Sequence, residues 1–221
     1  LMAVVPAAGP VARACLNGMS EFMSNISGSL VSILFNFQLM RYVGEQGVAA
    51  YGVVMYVAFF FIAVFFGYTM GVSPVISYHF GAQDRQELHS LFGKSLVISL
   101  CAGLVMTALA EILAGPLAAV YVGYDASLEA MTIDAMEIFA TCIVFAGINI
   151  FTSALFTALN NGLISAAVAF LRSLVFQAAC VLILPQFFGV SGIWWSMTLA
   201  EVLALLVNIV ILAKEQKRYG Y

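Results

Sequence analysis

Residues 48–82, VAAYGVVMYVAFFFIAVFFGYTMGVSPVISYHFGA, run for 35 positions without an aspartate, glutamate, lysine or arginine. At 1.5 Å per residue such a helix is about 52 Å long, against a hydrocarbon core of about 30 Å. The stretch therefore reads as a membrane-crossing helix that tilts, kinks or protrudes. Gly67 and Gly71 share one face, the spacing by which helices approach closely in lipid. Pro74 removes a backbone donor and predicts a kink, and Ser77, Tyr78 and Gly81 close the segment at an interface. Most of its aromatic side chains are expected to face lipid.

The rest of the chain has the same character. Hydrophobic residues make up 63% and charged residues 9% of the 221 positions, and the mean hydropathy is +1.05. An average soluble domain carries about 25% charged residues, so the chain reads as an integral membrane protein. The net charge of -3 is scattered, with no basic run for nucleic acid. Cys15, Cys101, Cys142 and Cys180 lack paired spacing and read as small buried hydrophobes. His79 and His89 have no third ligand nearby, no catalytic constellation is present, and no firm metal site or cofactor is expected.

Six apolar segments are predicted, at about 15–40, 48–78, 94–111, 133–159, 163–184 and 190–213, forming an all-α bundle over 15–214. Residues 1–14, broken by Pro6, Gly9 and Pro10, read as a linker or the remnant of a preceding segment, and 215–221 as a tail. Lys94 and Glu111 bracket the third span, and the segment from Gly115 and Pro116 to Glu129 is expected as a loop. With six spans both ends share a side. That side collects Arg13, Arg85, Lys94, Lys214, Lys217 and Arg218 against Arg41 alone, so the positive-inside rule places both ends in the cytoplasm of a plasma-membrane protein.

Ionisable residues inside a bilayer cost a few kcal/mol and usually face a partner or a wet cavity. Arg172 and Glu201 fall about 14 and 18 Å from their helix ends at 1.5 Å per residue. Joined by a short turn at 185–189, they are expected to form an intramembrane ion pair. Glu21 has no basic residue in its own half of the first span and is the candidate for contact with an ion or substrate. Asn149 and Gln177 are lesser polar candidates, each suited to an interhelical hydrogen bond.

The exit PVISYHFGA (74–82) resembles the Pro-x-x-Ser-Tyr-Asn-Tyr-Gly-Ala signature of MATE-type multidrug and toxic compound extrusion transporters, with His79 and Phe80 in place of Asn and Tyr. NGMSEFMSNI (17–26), GINIFTSALFTALNNG (147–162), LRS (171–173) and GIWWSMTLAE (192–201) extend the likeness over nearly the whole chain. It is strongest to the bacterial multidrug and DNA-damage-inducible subgroup, and to the C-terminal bundle alone. Family members carry two six-helix bundles and bind substrate between them. The resemblance thus implies half of a cation-coupled antiporter, driven by Na⁺ or H⁺, exporting amphipathic or cationic drugs by alternating access. Its partners would be the bilayer and the missing N-terminal six-helix half or a second half-size chain, and the lead-in from Leu1 favours a fragment. Glu21 falls at the family's acidic position in the first helix of this bundle. The family's second acid would fall near Ala146, so a complete sodium site is not expected. The alternatives are a flippase of a lipid-linked precursor or a non-transporting membrane scaffold.

Overall fold

The computed structural model describes residues 8–221, and among them every regular element is helical: α1 (Ala8–Tyr42), α2 (Glu45–Gly81), α3 (Arg85–Val122), α4 (Ala126–Ala158), α5 (Gly162–Phe170), a π-helical turn (Leu171–Phe176) and α6 (Gln177–Tyr219). Residues 1–7 of the expected linker, and the Arg13 side chain used for orientation, lie outside the described residues. Among the described residues, four stretches are long and apolar enough to cross a membrane, namely Glu45–Gly81, Arg85–Val122, Ala126–Ala158 and the 58-residue Gly162–Tyr219. A straight helix of 58 residues would measure about 87 Å, more than twice the bilayer core. Gly189, at φ 58 and ψ -136, breaks it. A Cβ added to Gly192 would sit 2.6 Å from the Leu184 carbonyl oxygen, although eight residues of straight helix span about 12 Å. The chain therefore doubles back at Gly189, dividing α6 into arms 177–188 and 190–219, and six helical rods result. α1 has the length to cross at 35 residues, but Ser24, Asn25, Ser27, Ser29, Ser32, Asn36 and Gln38 make it the least apolar.

The rods outrun the expected spans. Residues 8–14 belong to α1 rather than to a linker. Gly115 and Pro116 do not open a loop, because α3 continues through them to Val122, and Lys94 and Glu111 sit well inside it. Proline is tolerated within a membrane helix when neighbouring groups satisfy the freed carbonyl. The ends are set by caps: the Asp84 carboxylate accepts from Glu87 N at 3.1 Å, Asp125 from Ser127 N at 2.9 Å, and the Asn161 side-chain oxygen from Ile164 N at 3.3 Å. Such caps satisfy amides that would otherwise be orphaned at a helix start.

Residues 215–221, expected as a tail, are built into the bundle. α6 continues to Tyr219, and Gly220, at φ 77, turns the chain so that Tyr221 is 2% exposed. The Tyr219 hydroxyl accepts from Asn161 Nδ2 at 2.7 Å, and the Tyr221 hydroxyl donates to the Leu212 carbonyl at 3.1 Å. Phe80 lies 5.8 Å from the Tyr219 ring and Phe92 4.7 Å from that of Tyr221. Burial, reinforced by the charge of Glu215, pushes the Tyr221 phenol well above its ordinary range, so it stays protonated and keeps donating.

Close helix approach occurs at glycines other than the predicted pair. Among the described residues, nothing beyond the adjoining turns of α2 lies within 4 Å of a Cβ built on Gly67 or Gly71, whereas on Gly103 it would sit 2.9 Å from Val144 Cα. On Gly147 it would overlap the Phe65 ring. The α3–α4 contact is backbone to backbone and cannot yield, and the nearby Thr107 hydroxyl donates across it to the Ala140 carbonyl at 3.0 Å. Gly103→Val is therefore expected to destabilise by about 1–3 kcal/mol through overpacking, while Gly67→Ala leaves thermal unfolding in detergent unchanged. Equal losses in both variants would contradict this packing.

Candidate functional site

The π-helical turn carries Arg172, the 190–219 arm of α6 carries Glu201, and α4 carries Asn149. Arg172 Nη1 lies 3.6 Å from Glu201 Oε1. Asn149 Nδ2 donates to Glu201 Oε2 at 2.7 Å and to the Glu201 carbonyl at 2.9 Å. Asn208 Nδ2 in turn donates to Asn149 Oδ1 at 2.8 Å. Glu201, Asn149 and Asn208 are 5%, 0% and 2% exposed. A charge this deep is tolerable because each oxygen of the carboxylate has a positive or donating neighbour. Arg172 differs, since among the described residues its buried Nη1 has no hydrogen-bond partner.

Two cavities flank this network. One, about 30 Å³, is lined by Glu21, Ser24, Thr69, Asn149, Ser153 and Arg172, among others. The other, about 180 Å³, is lined by Tyr51, Cys142, Ala146, Gln177, Met197 and Glu201, among others. They are stacked along the bundle: Glu21 and Ser24 precede Gly28 and Val31 on α1, just as Phe66 and Thr69 follow Met55 and Ala58 on α2. Glu21 also borders a third, open space of about 340 Å³ with Met70, Ser73 and Thr157. Its side chain is exposed, and among the described residues no cation lies at ion-pair distance from it. The structure thus brings Glu21, Asn149 and Arg172 to one cavity and places Gln177 with Glu201 on the other. No cluster of three metal-ligating side chains occurs among the described residues.

The exit of α2 lies apart from these cavities. The Ser77 hydroxyl donates to the Ala158 carbonyl at 3.0 Å, tying α2 to the end of α4. His79 Nδ1 lies 3.4 Å from Asp84 Oδ2, and Tyr78 is exposed. Pro74 stays within a continuous α2.

The MatE family profile matches residues 22–183. The chain belongs to the MatE family. Curated relatives include the multidrug export protein MepA of Staphylococcus aureus (strain bovine RF122 / ET3-1), 23% identical over 194 residues, 88% of this chain and 42% of that protein. MepA of Staphylococcus saprophyticus is 22% identical over 199 residues, with the same two coverages, 88% and 42%. Among solved structures, an outward-facing multidrug resistance MATE family transporter of the MOP superfamily superposes with a TM-score of 0.90 at 19% identity, over 99% of this chain and 49% of that one. This MatE chain spans about half the length of the proteins it matches, and it is a multi-pass membrane protein with the fold of one half of such transporters.

Asn208 is the member of the MatE network that the polar candidates omit. It stands seven residues after Glu201, two turns on along the same helix face, and that spacing is the signal that locates it. The hydroxyl cluster joining α4 to α5, in which Thr157 and Ser165 Oγ atoms lie 2.7 Å apart and Ser165 donates to the Ser153 carbonyl at 2.8 Å, carries no comparable mark in a chain rich in serine and threonine.

Proposed function

We propose that this chain is one six-helix half of a cation-coupled exporter that moves amphipathic, often cationic, compounds across the plasma membrane by alternating access. The observation that carries the reading is the pair of cavities, one of mixed polarity and one largely apolar, stacked on either side of a buried Arg172–Glu201 pair inside a fold that makes up half of its relatives. Repeat transporters bind substrate and coupling ions near the midplane, between repeats, and the Arg172–Glu201 pair between the cavities stands in the interior of the rods 162–188 and 190–219. The companion is a second six-helix segment or half-size chain, both ends of this half face the cytoplasm, and Na⁺ or H⁺ is the coupling ion. Glu21 is the acid on which coupling depends, because it meets the cavity without a described cationic partner and stays accessible to water.

The test is coupled flux. With the full-length protein in vesicles, Glu21→Gln is expected to reduce drug-driven movement of the coupling cation to the background of empty vesicles while leaving the protein folded. Flux equal to wild type would remove Glu21 from the mechanism.

A further inference from the structure

Arg172 and Glu201 form one pair but open onto different cavities. Arg172 shares the smaller with Glu21, and Glu201 shares the larger with Gln177, Cys142 and Tyr51. Their 3.6 Å separation exceeds hydrogen-bond length, whereas Asn149 holds Glu201 at 2.7 Å. The carboxylate is anchored and the guanidinium is not. Arg172 also leaves the chain within a π-helical turn, a local widening that occurs mostly at functional positions.

From this geometry we infer that Glu201 is the proton-accepting residue of this half, and that its protonation passes Arg172 from Glu201 to Glu21. The inference rests on the exporter reading above and makes its coupling ion H⁺. The proton comes from water in the larger cavity and binds Oε1, the oxygen facing Arg172, while Oε2 keeps its bond from Asn149. Neutral Glu201 releases the guanidinium, which retains its charge and pairs with Glu21 across the smaller cavity. Before the step the three groups sum to one negative charge, and after it to zero, so one proton is taken up. Loss of that proton reverses the exchange.

The neighbours leave no substitute for Glu201 among the described residues. α4 offers Cys142 and α2 offers Tyr51, neither of which carries charge at neutral pH. Asn149, Gln177 and Asn208 do not titrate, and the α1 residues on the larger cavity, Gly28, Val31, Ser32 and Phe35, are uncharged. Among the described residues that line the two cavities, the only charges are those of Arg172, Glu201 and Glu21. One proton thereby shifts a cation from a partner on α6 to a partner on α1.

Infrared difference spectroscopy across a pH titration of the full-length protein in lipid nanodiscs tests this, because a protonated carboxyl has its own C=O stretch. The expected result is a titrating band that Glu201→Gln removes and Glu201→Asp shifts in frequency. Glu21→Gln should keep that band but require an about tenfold higher proton concentration to produce it, since Arg172 has lost its second partner. Glu21 is exposed and its variant is expected to fold, so if Glu201→Gln does not fold, Glu201→Asp makes the assignment and Glu21→Gln decides. A band that ignores Glu21→Gln, or the absence of any titrating band altered at position 201, overturns the exchange. Drug movement under a pH gradient is scored separately on the wild type. Its absence with the band behaving as stated counts against the exporter reading alone, and its presence with an unmoved band counts against the exchange alone.

Discussion

Arg172→Met is expected to cost the folded full-length protein about 3–5 kcal/mol in thermal or denaturant unfolding, the range for breaking a buried ion pair from one side. Glu201 is 5% exposed and would be left as a buried carboxylate whose sole remaining support is Asn149. The double variant Arg172→Met with Glu201→Leu should recover much of the loss, because removing both charges avoids the desolvation penalty. The charge swap, Arg172→Glu with Glu201→Arg, should recover only part. An arginine at 201 would point donors at Asn149 Nδ2, itself a donor fixed by the bond from Asn208. Full recovery by the swap would mean that Asn149 does not discriminate the sign of its neighbour. No recovery in either double variant would mean that the two residues act independently.

Asn149→Leu is the second large effect, with an expected loss of at least about 2 kcal/mol. Hydrogen bonds between membrane helices average only about 0.6 kcal/mol when measured pairwise, so the count of bonds is not what makes this variant severe. Asn149 gives Glu201 its one hydrogen bond to Oε2 and takes the one from Asn208. Leucine strands a buried charge-bearing acceptor and a buried donor together, each costing about 1–3 kcal/mol. Ser153→Ala is the contrast. Thr157 and Ser165 remain within 2.7 Å of each other, and unfolding should move little. Comparable losses in the two variants would show that the α4–α6 network holds no special weight.

Much of this was legible in residues. The uncharged run at 48–82 and the depth match of Arg172 with Glu201 come from hydropathy and helix rise, quantities that lipid makes strict. The helix ends were less legible. Gly115 and Pro116 are breakers in water, yet α3 runs through them, because inside a bundle neighbouring groups can satisfy what proline frees. Close packing within this half was not legible for a related reason: Gly67 and Gly71 have the right spacing, but spacing names a face and not its neighbour. Gly103 and Gly147, which do meet another helix, stand alone in sequence and acquire their role only through contacts 40 to 80 residues away. The division of the site between two cavities was not legible, since it depends on where the chain doubles back at Gly189.

The turn at Gly220 fastens one end of the half. Tyr219 and Tyr221 clamp the end of α6 to Phe80, Phe92 and Asn161, and Ser77 ties α2 to α4 at the same level. The π-helical turn and Gly189 lie outside these contacts, so a shift of Arg172 is expected to leave the ties at this end in place.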